Sequence, residues 1–523
     1  MIGKKNYQEK LFISFQLSKR VPEDNFYRRL KDILDLNYLY KAVGPYYGQE
    51  GQKSIDPTVF FRIMLVGYLE NITLDRSLIE HLGMRLDLLY FIDYDIGDAL
   101  PWHSTISRTR KKLPVDIFET MFDQVLTMCV QKGMVSGKTQ AVDAAYVKAN
   151  APLDSLVEKT PVNTVKDHIK KVIKENDRVD ERDKHRKETP EWKKKEVKQR
   201  IKRQKENFKG QPGNKLRGRY LSNHTHYSPT DPDARIAVKP GKPRQMYYLS
   251  NMSVDTSNHV ITHIESDYAD LKDSQTLISF LNNMLPRLKE QGLEVSEILA
   301  DAGYNSGANL KFLEQQGITG YIPPHGQYEK DKPGFTFDTE NNRYICRNGK
   351  YLVYKKTMPD AKGNYFMHYS TRVADCRDCP FGKECKGKSN ERRLRVTVYK
   401  PYHDRMEERM LTKVGQKKRK QRESTVGPVF GTLINFLGMR KLNTRGKRNA
   451  NKAMIMAAIA YNLKKYLKYN KIIRGTIMLK MDLLTKNQIL NYFFNLIKSL
   501  IGQNKLFYGY KIGFAYNNQK IIT

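Results

Sequence analysis

The sequence predicts an α/β protein whose strands and helices alternate behind an all-helical N-terminal domain. Three observations carry this. Through residue 136 the apolar residues recur at helical spacing. From residue 137 short apolar runs alternate with amphipathic stretches, the pattern of layered α/β folds. Two long polar stretches, 152–240 and 325–402, break that alternation and read as insertions.

Taken in order, Pro57–Leu69 has helical apolar spacing, with Asp56 as N-cap and Pro57 at the first helical position. A second helix falls near Leu74–Leu82. Ala141–Val147 reads as a strand. The first insertion opens with a Lys/Glu/Arg run that lacks an apolar stripe and should carry no core. Its second half, Gly210–Pro243, is rich in Gly, Pro and Asp and reads as loop. Tyr247–Val254 and His259–Glu265 flank a four-residue polar turn and predict a hairpin. Ser274–Gln291 is a helix with Pro286 as a place to kink. Val295–Ala300 is a strand, Ala308–Gln316 a helix stopped by Gly317, and Gly320–Pro323 a short strand. The second insertion is polar, turn-rich and cysteine-bearing. Helices follow over Pro428–Leu442 and Lys452–Leu467. The tail from 469 to 523 carries no motif and reads either as packing helix or as an extension.

The net charge is +36, from 92 Lys and Arg against 56 Asp and Glu. A polyanion is the partner such an excess favours, because each neutralised phosphate releases a counterion. No apolar run is long enough to span a membrane. The opening residues lack the apolar core of a secretory signal. Five cysteines suit a reducing cytoplasm better than a disulfide scaffold.

Four of those cysteines cluster in the second insertion. Cys376 and Cys379 form a Cys-x2-Cys pair, Cys385 follows, and Cys346 lies upstream. This fits a closed four-cysteine zinc site, though with looser spacing than a standard ribbon. Four free thiols are the alternative. Cys129 sits on an apolar helix and reads as core. Pro101–Leu113 concentrates hydroxyl and cationic side chains, Arg108 and Arg110 among them. It reads either as the entry to a DNA-contacting helix or as a solvated basic face.

Two acids stand out. Asp143 lies in the first strand. Asp301 follows a later strand at its carboxyl end, where open α/β sheets place ligands. Each alone is more often a turn former or a helix cap than a ligand. The strings around them say more. Asp143-Ala144-Ala145-Tyr146-Val147-Lys148-Ala149-Asn150, Leu299-Ala300-Asp301-Ala302-Gly303-Tyr304, and Pro428-Val429-Phe430-Gly431-Thr432-Leu433 with Arg445-Gly446 and Tyr461–Lys465 resemble three motifs of one family. That family is the IS1182-like group of DDE transposases, related to IS4 and IS5. Ser228–Arg235 also resembles a family string, and the likeness runs from about residue 8 to about residue 468.

The resemblance implies an RNase H-like catalytic domain over 137–468, holding both insertions, and an N-terminal domain over 1–136 that binds terminal inverted repeats. It implies two Mg²⁺ ions, with Asp143 and Asp301 as ligands. Water and then a 3′-hydroxyl would be the nucleophiles. Arg422, Arg440, Lys441 and Arg445 would hold phosphates of donor or target DNA. A homodimer on DNA, in the bacterial cytoplasm at the nucleoid, is the implied setting.

The chain departs from the family at one point. The third acid is a Glu in the family, and here Gly427 stands in its place. Gly427 reads as an N-cap with Pro428 opening the helix. Glu423 lies four residues earlier and would share a face with position 427 if the helix extended back, but Pro428 disfavours a helical Gly427. Two readings stay open: an active Mg²⁺-dependent transposase, with Glu423 as a substitute acid, and a decayed copy that only binds DNA.

Overall fold

The computed structural model describes residues 14–48, 54–158, 226–238, 244–326, 332–360 and 364–469, with Glu50, Asn223 and Lys330 as isolated positions. The Lys/Glu/Arg run of the first insertion and the tail from 470 onward lie outside the described residues. The N-terminal region folds as helices: α1 (Leu17–Arg20), α2 (Phe26–Ile33), α3 (Tyr38–Val43), α4 (Pro57–Leu69), α5 (Asp75–Gly83), α6 (Leu86–Ile92), α7 (His103–Lys112) and α8 (Val115–Gln131). The cap at Asp56 forms as the sequence predicts, its Oδ1 accepting from the backbone N–H of Thr58 at 2.7 Å and of Val59 at 3.3 Å. Helix α4 is apolar almost all round, so it is buried at the centre of this region. Phe60, Phe61 and Phe118 meet edge to face there.

One sheet follows. Its strands are β1 (Thr139–Lys148), β2 (Arg235–Ala237), β3 (Gln245–Asp255), β4 (Ile261–Tyr268), β5 (Glu297–Leu299) and β6 (Thr319–Tyr321). β3 pairs antiparallel with β1 on one side and with β2 and β4 on the other. β5 runs parallel to β1, and β6 parallel to β5. The order across the sheet is therefore β4–β3–β1–β5–β6, with β2 extending the β4 edge. The predicted hairpin is β3–β4. Two stretches of the first insertion that read as loop instead form β2 and a two-residue ladder, Val157–Glu158 with His226–Tyr227.

Helix α9 (Asp273–Glu290) crosses between β4 and β5 and runs unbroken through Pro286. Helix α10 (Gly307–Gln315) joins β5 to β6 and stops where Gly317 takes a φ of 69°, a left-handed conformation that glycine adopts without strain.

The second insertion corrects the sequence reading most. It is a five-stranded antiparallel sheet: β7 (Phe335–Asp338), β8 (Arg343–Cys346), β9 (Tyr351–Pro359), β10 (Tyr365–Ser370) and β11 (Arg393–Thr397). Tyr344, Leu352, Tyr369, Leu394 and Val396 form its core. Two short helices, α11 (Val373–Arg377) and α12 (Gly382–Lys386), sit between β10 and β11. The core positions are spread over four strands, no more than two on any one, so no local window of sequence looks apolar.

Helix α13 (Lys400–Leu411) leads into α14 (Lys413–Phe436), and α15 (447–469) follows. Here a second expectation fails. α14 does not begin at Pro428; it passes through Gly427 and Pro428 without a break. A proline inside a helix costs about 3 kcal/mol. Ser424 and Pro428 are exposed, so solvent can take the Ser424 carbonyl that Pro428 leaves without its helical donor. Thr425, Val426, Val429, Phe430 and Leu433 are buried and hold both sides of the proline to the body.

Candidate active site

The two predicted acids are brought together by register. The parallel pairing of β1 with β5 ends at Ala141 opposite Leu299. Asp143, on β1, and Asp301, just past the end of β5, each lie two residues beyond that pair. Neighbouring strands are about 4.8 Å apart. Two residues on, each side chain returns to the same face of the sheet as its paired residue.

Asp301 also caps a turn. Its Oδ1 accepts from the N–H of Gly303 at 2.8 Å, at the head of the 3₁₀ turn Ala302–Tyr304. The turn-capping reading of this residue is thus realised. Asp143 accepts from Arg422, whose Nη1 lies 3.0 Å from its Oδ2. One turn earlier on α14, Lys418 pairs with Glu297 at the start of β5. These two bridges, at i and i+4, pin α14 across β1 and β5. The Lys418 ammonium and the Thr139 hydroxyl hold the Glu297 carboxyl below its ordinary value, against the opposing pull of burial.

A third acid, missed in the sequence, joins them. Asp273 opens α9, which packs on the Ala302–Tyr304 turn. A Cβ built on Gly303 would lie 2.8 Å from Asp273 Oδ2 and 3.0 Å from Asp301 Oδ1. The two carboxylates therefore flank one point over the glycine. Beneath them Tyr304 is fully buried, and its hydroxyl has no hydrogen-bond partner. Burial raises the Tyr304 phenol well above its ordinary value; the charges of Asp273, Asp143 and Asp301 push the same way, and Arg422 opposes. Asp273 sits between a turn and a polar helix start, so nothing in the sequence marks it beyond a first-turn acid.

These carboxylates are hard oxygen donors, the donor type that a divalent cation takes. They flank one another without converging. Among the described residues no three His, Cys, Asp or Glu side chains are arranged to hold a metal as they lie.

The other predicted residues scatter. Glu423 is about half exposed and lies 3.6 Å from Arg419, one turn back on α14. Since α14 is continuous, Glu423 and Gly427 do share a face, contrary to the sequence expectation; that face is exposed. A Cβ at Gly427 would meet nothing within 4 Å. Arg422 is engaged with Asp143 rather than open to phosphate. Arg110 is also off the surface, only 5% exposed, ion-paired to Asp75 and with Nε 3.3 Å from Met64 Sδ. A cation was expected outside because it costs much to bury, and the pairing with Asp75 offsets part of that cost. Arg108 stays exposed on α7. Arg440, Lys441 and Arg445 are exposed on the loop after α14, which is tied to the end of β1 by the Leu442 N–H donating to Lys148 O at 2.9 Å.

The four clustered cysteines lie on neighbouring elements, β8, α11, α12 and the turn between the helices. They do not gather into a metal-holding group among the described residues. Cys376 Sγ is 3.1 Å from Thr371 Oγ1, and Cys379 Sγ accepts from Asn348 at 3.6 Å. Nothing in this placement supports the expected zinc site, and the insertion has an apolar core of its own. Cys129 is core, its thiol pushed up to about 12 by burial.

No helix among the described residues is long and apolar enough to cross a membrane. Two family models match the chain. One, Transposase domain (DUF772), covers residues 15–112, the span of α1 to α7. The other, Transposase DDE domain, covers 345–467, from β8 into α15. Asp143, Asp273 and Asp301 lie between the two matches. No curated protein matches the chain. Both matches are to transposase domains, in this order along the chain, consistent with a DDE transposase of the IS1182 type.

Proposed function

We propose that the protein is the transposase of an insertion sequence, which binds terminal inverted repeats and cleaves and joins DNA strands at Asp143 and Asp301. The observation that carries this reading is the placement of Asp143 on β1 and of Asp301 just past β5, each two residues beyond the last pair of their parallel ladder. The strand order β4–β3–β1–β5–β6, antiparallel to β1 on one side and parallel on the other, supports an RNase H-like catalytic sheet. Mg²⁺ held by the two carboxylates would activate the attacking oxygen and stabilise the leaving one. Arg422 holds Asp143 in place through its guanidinium and neutralises its charge. Arg108, Arg440, Lys441 and Arg445 are exposed cations suited to phosphate. The net charge of +36 supports electrostatic capture of duplex DNA at first encounter. A dimer on two transposon ends completes this reading.

Gly427 favours a second reading, a decayed copy that binds repeats without cutting. A strand-transfer assay on a terminal-repeat duplex with Mg²⁺ separates the two. Joined product is the expected result. A gel shift with neither cut nor joined product would establish the decayed reading, and cut product alone would make the protein a nuclease without transfer.

A further inference from the structure

Resting on the reading of this chain as a DNA strand-cutting enzyme, we propose that the solvent face of the second sheet binds an unpaired DNA strand. Side chains alternate along each strand, so the sheet has two faces. Tyr344, Leu352 and Tyr369 turn to one face and form its core with Leu394 and Val396. Register turns Tyr351, Val353, Lys356 and Met358 of β9 to the other, and all four are exposed there.

The chemistry of that face suits nucleobases. The Arg343 guanidinium carbon lies 3.8 Å from the Tyr351 ring centroid, and that of Arg395 lies 3.8 Å from the Phe366 ring centroid. Each stack sets a flat cation on an aromatic ring. Unpaired bases stack on rings and on guanidinium planes whatever their sequence, because every base has a π-face. A duplex keeps those faces inside its own stack. The ladder separates the two stacks by roughly six residues, about 20 Å at 3.4 Å per residue, so a strand of several nucleotides can touch both.

Charge complements a phosphate chain. Residues 335–397 hold 14 Lys and Arg against 7 Asp and Glu, so the insertion is cationic in its own right. Lys355 and Lys356 are exposed on β9. Arg393 and Arg395 pair with Glu391 and Asp360 at 2.8 and 3.5 Å while staying exposed, and such pairs are weak enough to yield to phosphate. The root of the sheet also lies where unpaired ends would arise. β11 runs directly into α13, which packs on α10, and Tyr399 between them leaves no room for a Cβ at Gly307, the first residue of α10. The sheet is thereby anchored to the segment that follows Asp301.

The test is fluorescence anisotropy of the full chain with labelled oligo(dT), without metal ion, beside a duplex that lacks the repeats. Tyr351→Ala with Phe366→Ala should weaken oligo(dT) binding at least tenfold and duplex binding less than twofold. Arg395→Lys keeps the charge but loses the plane, and it should weaken oligo(dT) binding about threefold. Both rings lie outside the core, so the double variant should keep the parent's denaturant melt. If it does not, Arg343→Lys with Arg395→Lys takes its place. Parent-like oligo(dT) affinity in the folded variant would overturn the proposal, and so would equal losses on strand and duplex, which would mark the face as a general phosphate contact. No metal is present in this measurement, so a failure of cleavage with Mg²⁺ bears on the catalytic reading alone.

Discussion

The strand-borne acids and the helix-borne position 427 are held in opposite ways. Asp143 and Asp301 are fixed by parallel register, a capped turn and the Arg422 bridge. Gly427 lies on an exposed face of α14, with nothing near a would-be Cβ. A position fixed from several sides cannot change without moving its neighbours. An open one can lose its side chain at no structural cost. The comparison sets the two motifs that this chain shares with the family it resembles against the third, where it departs.

The sharpest way to break the comparison is to remove a strand-borne acid. Asp143→Asn or Asp301→Asn should lower Mg²⁺-dependent cleavage by about a thousandfold, roughly 4 kcal/mol in the transition state, with repeat binding nearly intact. Cleavage kinetics and gel shifts on one repeat duplex check both halves. Full cleavage by Asp301→Asn would remove it from the site.

A second test concerns the five-stranded sheet. Leu352 is fully buried in its core. Leu352→Ala should destabilise the fold by about 2–5 kcal/mol, read by denaturant melts. The parent's thermal midpoint should not move when a strong chelator is added. A drop of several degrees would return Cys346, Cys376, Cys379 and Cys385 to a metal role.

Position 427 supplies a smaller effect. Gly427→Glu meets no steric obstacle, so the variant should fold. With position 427 on the exposed face of α14, opposite the buried Val426 and Val429, its cleavage rate should stay within about threefold of the parent, since a tenfold change needs about 1.4 kcal/mol. A rise of a hundredfold would instead place the missing acid at 427 and mark the chain as decayed.

Legibility in the sequence followed how local each determinant is. The Asp56 cap, the β3–β4 hairpin and α9 rest on neighbouring residues, and they form where periodicity places them. The placement of Asp143 and Asp301 depends on pairing across more than a hundred residues, so only motif strings pointed to it. Three features were illegible for distinct reasons. The second sheet buries isolated residues from separate strands. α14 survives Pro428 because tertiary burial on both sides outweighs the local cost. Arg110 looks like surface cation until Asp75, on another helix, is placed against it. Asp273 gives the same lesson, because its neighbours Asp301 and Tyr304 come from another loop.

The smallest expected effect lies on the edge of the site region, at Asp231. The string Ser228–Arg235 is anchored there: Asp231 Oδ1 accepts from the Tyr248 hydroxyl at 2.6 Å and from the Gly446 N–H at 3.0 Å. Its Oδ2 is buried without a partner. Burial is the main cause that pushes this carboxyl up to about 6, and the nearby Asp233 charge adds to it. The folded chain thus holds this proton more tightly than the unfolded chain, whose carboxyl titrates near 3.8. Stability from this group is fully present below about pH 4 and is lost as pH rises through about 6. Asp231→Asn keeps an Oδ1 acceptor for Tyr248 and Gly446 and removes the titration. Other carboxyls, Asp87 and Glu265 among them, are held low and shift stability in the opposite direction, so the parent curve alone mixes signs. The difference between parent and variant isolates the term. Relative to Asp231→Asn, the parent should weaken steadily between pH 4 and pH 7 and then level off. A flat difference across that window would mean that the Asp231 carboxylate is already ionised in the fold, and that the loop bearing Arg445 is anchored by charge.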